Sequence, residues 1–232
     1  IGLPYMFAEL ALGRSVQSNP VGAIKAIKPK SQWKWAGVLG VITGVGILSF
    51  YGVVAGWTIG YIFKMFYTAS AGFEEFVSDG WLVTGLFAVF IFLTASIVYS
   101  GIEGGIERWS KILMPLLLIL MISLIIYANT LKGSSNGLSF YLNPDFSKIT
   151  GKSLLAALGQ AFFSLSLGMG LMITYGSYLS KKEDIVSSAS YIGFFDTLIA
   201  FMAGLIIFPT IFAIKGDMTL IDESLRSGPG LI

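Results

Sequence analysis

The chain has 232 residues, 55% of them hydrophobic and only 12% charged, with a formal net charge of +2. That balance marks an integral membrane protein rather than a soluble domain, and so small a basic excess argues against nucleic acid as a partner. Cys and His are both absent from the sequence, which removes disulfides, zinc sites and every Cys- or His-based catalytic dyad.

Ile1 to Leu12 is apolar apart from Glu9, with Pro4 as a kink, and already looks like the middle of a membrane helix over about 1–13. At the other end, Gly228 to Ile232 stops where a new apolar segment begins. The sequence therefore reads as a single transmembrane domain, 1–232, truncated at both ends. The loop at 14–35 carries Arg14, Lys25, Lys28, Lys30 and Lys34 and no acid, which by the positive-inside rule places it in the cytoplasm. Those lysines also suit a lipid-headgroup patch, although topology signalling explains them equally well.

A second span, about 36–66, contains the uncharged run between Lys34 and Lys64. Gly52, Gly56 and Gly60 recur at every fourth position on one face, where another backbone can approach closely. Tyr51 sits well inside this span and needs a partner for its hydroxyl. Thr68 to Gly80, with Glu74, Glu75 and Asp79 and no base, suits an outer loop. The third span, about 81–101, leads to a mixed-charge cytoplasmic loop within 102–111. A fourth, about 108–131, is expected to open at Pro115, since a first helical turn tolerates proline. Lys132 to Lys152 reads as a polar outer loop. The turn at 180–184, with Lys181-Lys182-Glu183-Asp184, reads as cytoplasmic. The last full span, about 185–213, is uncharged except for Asp196, and Met218 to Leu231 reads as an outer loop.

Between these elements lies the most telling stretch. Ser153 to Ser180 carries no charge and could cross a core of about 30 Å as a helix. Yet Ser164, Ser166, Gly168 and Gly170 crowd its centre. Gly costs roughly 1 kcal/mol relative to Ala inside a helix, and Ser turns its hydroxyl onto nearby backbone. Two half-helices, about 153–165 and 170–179, joined by an unwound turn fit this pattern; glycines that merely let helices pack closely also fit it. Backbone left unpaired at such depth must be buried in protein or line a polar cavity.

Asp196 lies near the middle of its span, where a lipid-exposed carboxylate costs at least a few kcal/mol. No intramembrane Lys, Arg or His is present to meet it. The candidates are a cation from solution, a proton, or hydroxyl and backbone donors. Glu9 is placed for an orienting hydrogen bond to exposed backbone. Bare carbonyls, Ser hydroxyls and a carboxylate suit sodium, and half-helix N-termini suit an anionic group. A zwitterion such as an amino acid satisfies both, which points to a secondary transporter with a midplane cation site.

The residues Gly159-Gln160-Ala161-Phe162-Phe163-Ser164-Leu165-Ser166-Leu167-Gly168-Met169-Gly170, followed by Ile173-Thr174-Tyr175-Gly176-Ser177-Tyr178, resemble the broken sixth helix of the neurotransmitter:sodium symporter family. Leu3-Pro4 through Glu9 to Gly13-Arg14 is similar to the family's second helix, and Ser49-Phe50-Tyr51 to Gly56-Trp57 to its third. Gly105-Ile106-Glu107-Arg108 to Met114-Pro115 resembles the start of the fifth, and Asn143-Pro144-Asp145-Phe146 the outer loop before the sixth. The resemblance implies an all-α integral membrane fold, a leucine-transporter-type inverted-repeat helix bundle with a discontinuous sixth helix. The chain would cover about the second to seventh helices of a multi-pass plasma (cytoplasmic) membrane protein. It also implies sodium-coupled symport of an L-amino acid across the lipid bilayer, by alternating access around a midplane site and without an organic cofactor.

Carried over, the resemblance assigns Phe163, Ser164 and Ser166 to the substrate amine. Ile47, Tyr51, Val54, Phe163, Ser166 and Met169 would line the pocket, with Tyr51 reaching the carboxylate and Phe163 acting as an outer lid. Ser164 and Asp196 would hold the sodium that touches the substrate. Glu9 would steady the unwound turn, with Gln160, Gly168 and Gly170 supporting it and Tyr175 and Tyr178 at the inner gate. Two departures refine this. Family members often carry Asn at the Asp196 position and Thr at Ser164; an Asp there supplies a negative charge itself and implies transport independent of chloride. The Gly168-Met169-Gly170 version resembles bacterial members that take hydrophobic and aromatic L-amino acids, and a slim, adaptable Met suits larger side chains. The rival readings are a receptor-like relative that binds without transporting, and an intramembrane enzyme, for which Asp196 and Glu9 have no obvious catalytic mate.

Overall fold

The computed structural model describes residues 1–67 and 73–215. The outer loop expected over Met218 to Leu231 lies outside these residues, as does the 68–72 part of the one expected over Thr68 to Gly80. Among the described residues every regular element is helical. In order they are α1 (Gly2–Val16), α2 (Pro20–Ile27), α3 (Lys34–Tyr67), α4 (Phe73–Ser78), α5 (Gly80–Tyr99), a π-helical turn (Ile102–Glu107), α6 (Arg108–Thr130) and α7 (Ser134–Leu142). A 3₁₀ turn (Phe146–Lys148), α8 (Gly151–Ser164), α9 (Leu171–Tyr178) and α10 (Ile185–Lys215) complete the chain.

Among the described residues four helical stretches are long and apolar enough to cross a membrane: Lys34–Lys64, Gly80–Tyr99, Ile102–Thr130 and Ile185–Ile214. α5 has no buried residue at all. A helix that is apolar all round and exposed requires hydrocarbon around it.

Local signals place the helix starts. The Asn19 side chain accepts from Gly22 N at 2.8 Å, with Pro20 as the first residue of α2. Asp79 Oδ1 accepts from Trp81 N and Leu82 N, both at 3.1 Å, and opens α5. Thr150 and Ser153 form a reciprocal capping box at the head of α8.

Three stretches read as loops contain helices. α2 lies within 14–35, α4 within the first outer loop, and α7 within the 132–152 loop. Each is short and packs on a longer helix, α2 and α4 on α3 and α7 on α10, so its own periodicity carried no signal. The expected cytoplasmic loop at 102–111 is helical too, which corrects the position of Pro115. It lies inside α6 rather than in a first turn, because helical structure already begins at Ile102 after Gly101, whose φ is +80°. A proline there leaves the carbonyl four residues earlier without its amide donor.

The described chain divides into two compact units. One comprises Ile1–Pro4, Leu113–Leu165 and the described residues from Asp184 on. Within it α7 lies on α10 through glycines and rings. A Cβ at Gly137 would fall 2.4 Å from Phe208 O, and one at Gly204 2.2 Å from the Tyr141 ring. Tyr141 stacks on Phe208 at 5.0 Å and donates to Phe201 O at 3.3 Å. The other unit comprises Tyr5–Ile112 and Ser166–Glu183. There the Gly52, Gly56 and Gly60 face meets α5, Cβ positions at Gly52 and Gly56 falling 2.7 Å from Phe87 Cε2 and 3.0 Å from Phe87 N. These glycines are packing residues.

Candidate functional site: the break between two half-helices

The helix that begins at Gly151 ends at Ser164, and the next begins only at Leu171. At 1.5 Å per residue, α8 is about 21 Å long and α9 about 12 Å, so neither crosses a hydrocarbon core alone. The turn alternates in hand: Ser166, Gly168 and Gly170 have φ of +56°, +77° and +74°. Left-handed backbone is free of penalty at Gly but costs roughly 1–2 kcal/mol at a residue with a Cβ, so Ser166 is strained. No helix survives that alternation. The last carbonyls of α8 lose their amide partners at the negative end of its dipole, while α9 presents its amides and positive end.

In the first unit, the cut end of α8 meets α10. Ser164 Oγ donates to Asp196 Oδ1 at 2.6 Å, within the range of a charge-assisted bond. Asp196 is half-buried near the middle of α10, so the hydroxyl supplies the intramembrane partner that no base provides. Among the described residues no three Asp, Glu, Cys or His side chains come together. One carboxylate with hydroxyl and carbonyl oxygens is a hard donor set of single negative charge. It fits a monovalent hard cation better than a divalent one, which gathers several carboxylates. Phe163 and Gln160 belong to the same unit, both exposed on α8.

In the second unit, Glu9 secures the turn. It is 8% exposed, and its Oε1 accepts from Gly168 N at 3.1 Å. Its Oε2 is buried and has no hydrogen-bond partner among the described residues. Glu9 lines a cavity of about 300 Å³ with Tyr5, Pro20, Gly37, Gly168 and Gly170. What brings Glu9 there is a backbone-to-backbone crossing of α1 and α9. A Cβ at Gly13 would fall 2.0 Å from Ile173 O, and one at Gly176 2.4 Å from Leu10 O. Arg14 Nη1 donates to Glu183 O and ties the end of α1 to the turn after α9.

Ile47, Tyr51 and Val54 follow one another at four- and three-residue steps, so they share a face of α3. Ile47 and Val54 are half-buried and Tyr51 is exposed. Ser166 and Met169 are half-buried, and a Cβ at Gly40 of α3 would lie 3.0 Å from Met169 O. Tyr175 and Tyr178 are about half exposed on α9. The structure thus pairs Ser164 with Asp196 and Glu9 with Gly168. Sequence reasoning missed Pro20, whose Cγ would lie 2.8 Å from a Cβ at Gly170, and the Gly13–Gly176 crossing. Each depends on a contact between segments far apart in the chain, which no local pattern announces.

The fold has counterparts among known proteins. The model of the Sodium:neurotransmitter symporter family matches residues 70–232. The uncharacterized sodium-dependent transporter YhdH of Bacillus subtilis is 37% identical, over 92% of this chain and 49% of its own length. An uncharacterized sodium-dependent transporter of Haemophilus influenzae is 36% identical, over 97% of this chain and 54% of its own length. The crystal structure of MhsT in complex with L-phenylalanine superposes with a TM-score of 0.84 at 44% identity, covering 93% of this chain and 51% of that one. The chain therefore spans about half the length of the relatives it matches, which are transporters and not enzymes. A family match over most of the chain, the shared fold and the interrupted helix lead to one conclusion: this is a multi-pass membrane chain belonging to the Sodium:neurotransmitter symporter family.

Proposed function

We propose that the complete protein containing this chain is a symporter that couples sodium entry to uptake of hydrophobic and aromatic L-amino acids, without a requirement for chloride. The observation that carries this reading is the Ser164–Asp196 pair at the cut end of α8. Ser164 and Asp196 offer sodium, a transported substrate, two side-chain oxygens and one full negative charge. Ser166 to Gly170, held in a left-handed alternation and pinned through Gly168 by Glu9, present backbone groups to the amino and carboxyl ends of the co-transported amino acid. The Ile47–Tyr51–Val54 face and Met169 set the size of the side chain accepted, and the family resemblance assigns Phe163 the role of outer lid. The Gly-Met-Gly turn and the similarity to a protein solved with L-phenylalanine support the substrate class.

Because Asp196 carries its own charge, no chloride is needed beside the sodium. Reconstitution of the complete gene product into liposomes tests this directly. Tryptophan, tyrosine, phenylalanine and leucine should accumulate on an inward sodium gradient, with uptake unchanged when gluconate replaces chloride. Failure of all four while glycine or GABA is taken up would refute the substrate class. Uptake abolished by gluconate would refute the chloride assignment.

A further inference from the structure

The segment from Pro20 to Trp35 does more than a topology signal requires. Orientation by positive charge needs only a count of lysines and would be served by a slack loop. Here the segment is built and held. α2 buries Pro20 and Ala23 and rests on the start of α3, where a Cβ at Gly37 would lie 2.8 Å from Pro20 O. Its connection to α3 is ordered by successive turns, Ser31 N donating to Lys28 O at 3.0 Å, Trp35 N to Gln32 O at 3.0 Å and Ala36 N to Trp33 O at 2.9 Å.

On the outside of this scaffold Lys25, Lys28 and Lys30 are exposed and Lys34 is half-buried. None of the four has a carboxylate partner among the described residues, where the ion pairs are Lys111–Glu107 and Lys148–Asp145. Beside them stand Ile27 at 62% exposure, Trp33 at 70% and Trp35 at 58%, with Lys34 Nζ 5.9 Å from the Trp35 ring. The long apolar span of α3 begins at this point. Indoles therefore sit where hydrocarbon meets headgroups, with a cluster of unpaired ammonium groups at headgroup depth.

From this geometry we infer that Pro20–Trp35 is a binding platform for anionic phospholipid headgroups, and that its occupancy restrains the Gly170 end of the broken helix. The lysines meet the lipid phosphates while Ile27, Trp33 and Trp35 enter the acyl boundary. The link to the break is Pro20, which heads α2 and packs against Gly170 on its other side. Holding α2 at the membrane surface holds the left-handed residue from which α9 starts.

The test uses the complete gene product in bilayers of brominated phosphatidylglycerol or brominated phosphatidylcholine. Phosphatidylglycerol should quench Trp33 and Trp35 preferentially, and the preference should vanish in Trp33→Phe/Trp35→Phe. Lys25→Gln/Lys28→Gln should weaken it, and adding Lys30→Gln and Lys34→Gln should remove it, at roughly fivefold in lipid affinity per lysine. The corresponding four-arginine variant should retain it, which separates loss of charge from faulty insertion. Amide exchange over 168–176 should slow in phosphatidylglycerol for the wild type and not for the four-glutamine variant. Equal quenching by the two lipids overturns the platform. Selective quenching with unchanged exchange over 168–176 overturns its link to the break. Neither readout requires transport, so failure here is distinct from failure of the transport assignment.

Discussion

Removing the charge of Asp196 should affect sodium before it affects the fold. The perturbation is Asp196→Asn, which keeps the shape and one acceptor oxygen for Ser164 but takes away the full negative charge. At 2.6 Å the Ser164–Asp196 bond has the length of a charge-assisted one, and such bonds contribute about 1.5–3 kcal/mol, roughly 10- to 150-fold in an equilibrium constant. A cation about 4 Å from a carboxylate at an effective dielectric constant near 20 gains on the order of 4 kcal/mol, so the charge outweighs the hydroxyl. Asp196→Asn should raise the half-saturating sodium concentration more than tenfold. Ser164→Ala should raise it less, since it leaves the charge in place, and Ser164→Thr, which retains the hydroxyl, should stay near wild type. The double variant should depart from additivity because the two groups touch. The assay is sodium-dependent binding of labelled phenylalanine to the complete gene product at constant ionic strength. A half-saturating concentration within twofold of wild type in Asp196→Asn would refute the sodium assignment.

Three other outcomes follow from the geometry. Glu9→Ala removes the acceptor of Gly168 N, a bond to a carboxylate, so exchange of that amide should accelerate by roughly 10-fold or more, as read by hydrogen–deuterium exchange; an unchanged rate would show that the turn holds itself. Gly176→Ala would set a Cβ 2.4 Å from Leu10 O, a backbone atom that cannot step aside, whereas Gly44 in α3 has nothing within 4 Å of its Cβ position. Thermal unfolding in detergent should therefore drop for Gly176→Ala and stay level or rise slightly for Gly44→Ala, where a helical Gly costs roughly 1 kcal/mol relative to Ala; equal shifts would contradict the crossing. In the 3₁₀ turn, the Ser147 hydroxyl and amide and then Lys148 hold the Asp145 carboxyl below its ordinary value. A lowered folded value means the cap contributes fully above the unfolded value of about 3.9 and is lost as pH falls through the lower one. Exchange at the Ser147 amide, compared with Asp145→Asn, should show added protection that fades only below about pH 4.

The membrane class and the interrupted helix were legible along the chain because each is a one-dimensional property. Uncharged length separates a span from a loop, and Ser and Gly packed into seven positions defeat a helix wherever it sits. Asp196 announced itself for a similar reason, since a carboxylate in an apolar run must find a partner. The short helices were hidden: α2 and α7 form against α3 and α10 through Gly37, Gly137 and Gly204, and eight or nine residues hold no helix by propensity alone. Pro115 was misplaced because helical structure already begins at Ile102, where Gly105 lies against Ile97 O, a contact that the residues around Pro115 do not announce.

Its order of residues alone pointed this protein to hydrocarbon, to a span weakened between about 165 and 170, and to an intramembrane acid in need of company. Which atoms keep that company was decided only in three dimensions. Ser164 and Asp196 are 32 positions apart and Glu9 and Gly168 are 159 apart. A hydrogen bond reaches only about 3 Å, so such pairs exist only once packing has brought distant stretches of chain to the same place, as the backbone-on-backbone crossing at Gly13 and Gly176 does for Glu9 and Gly168.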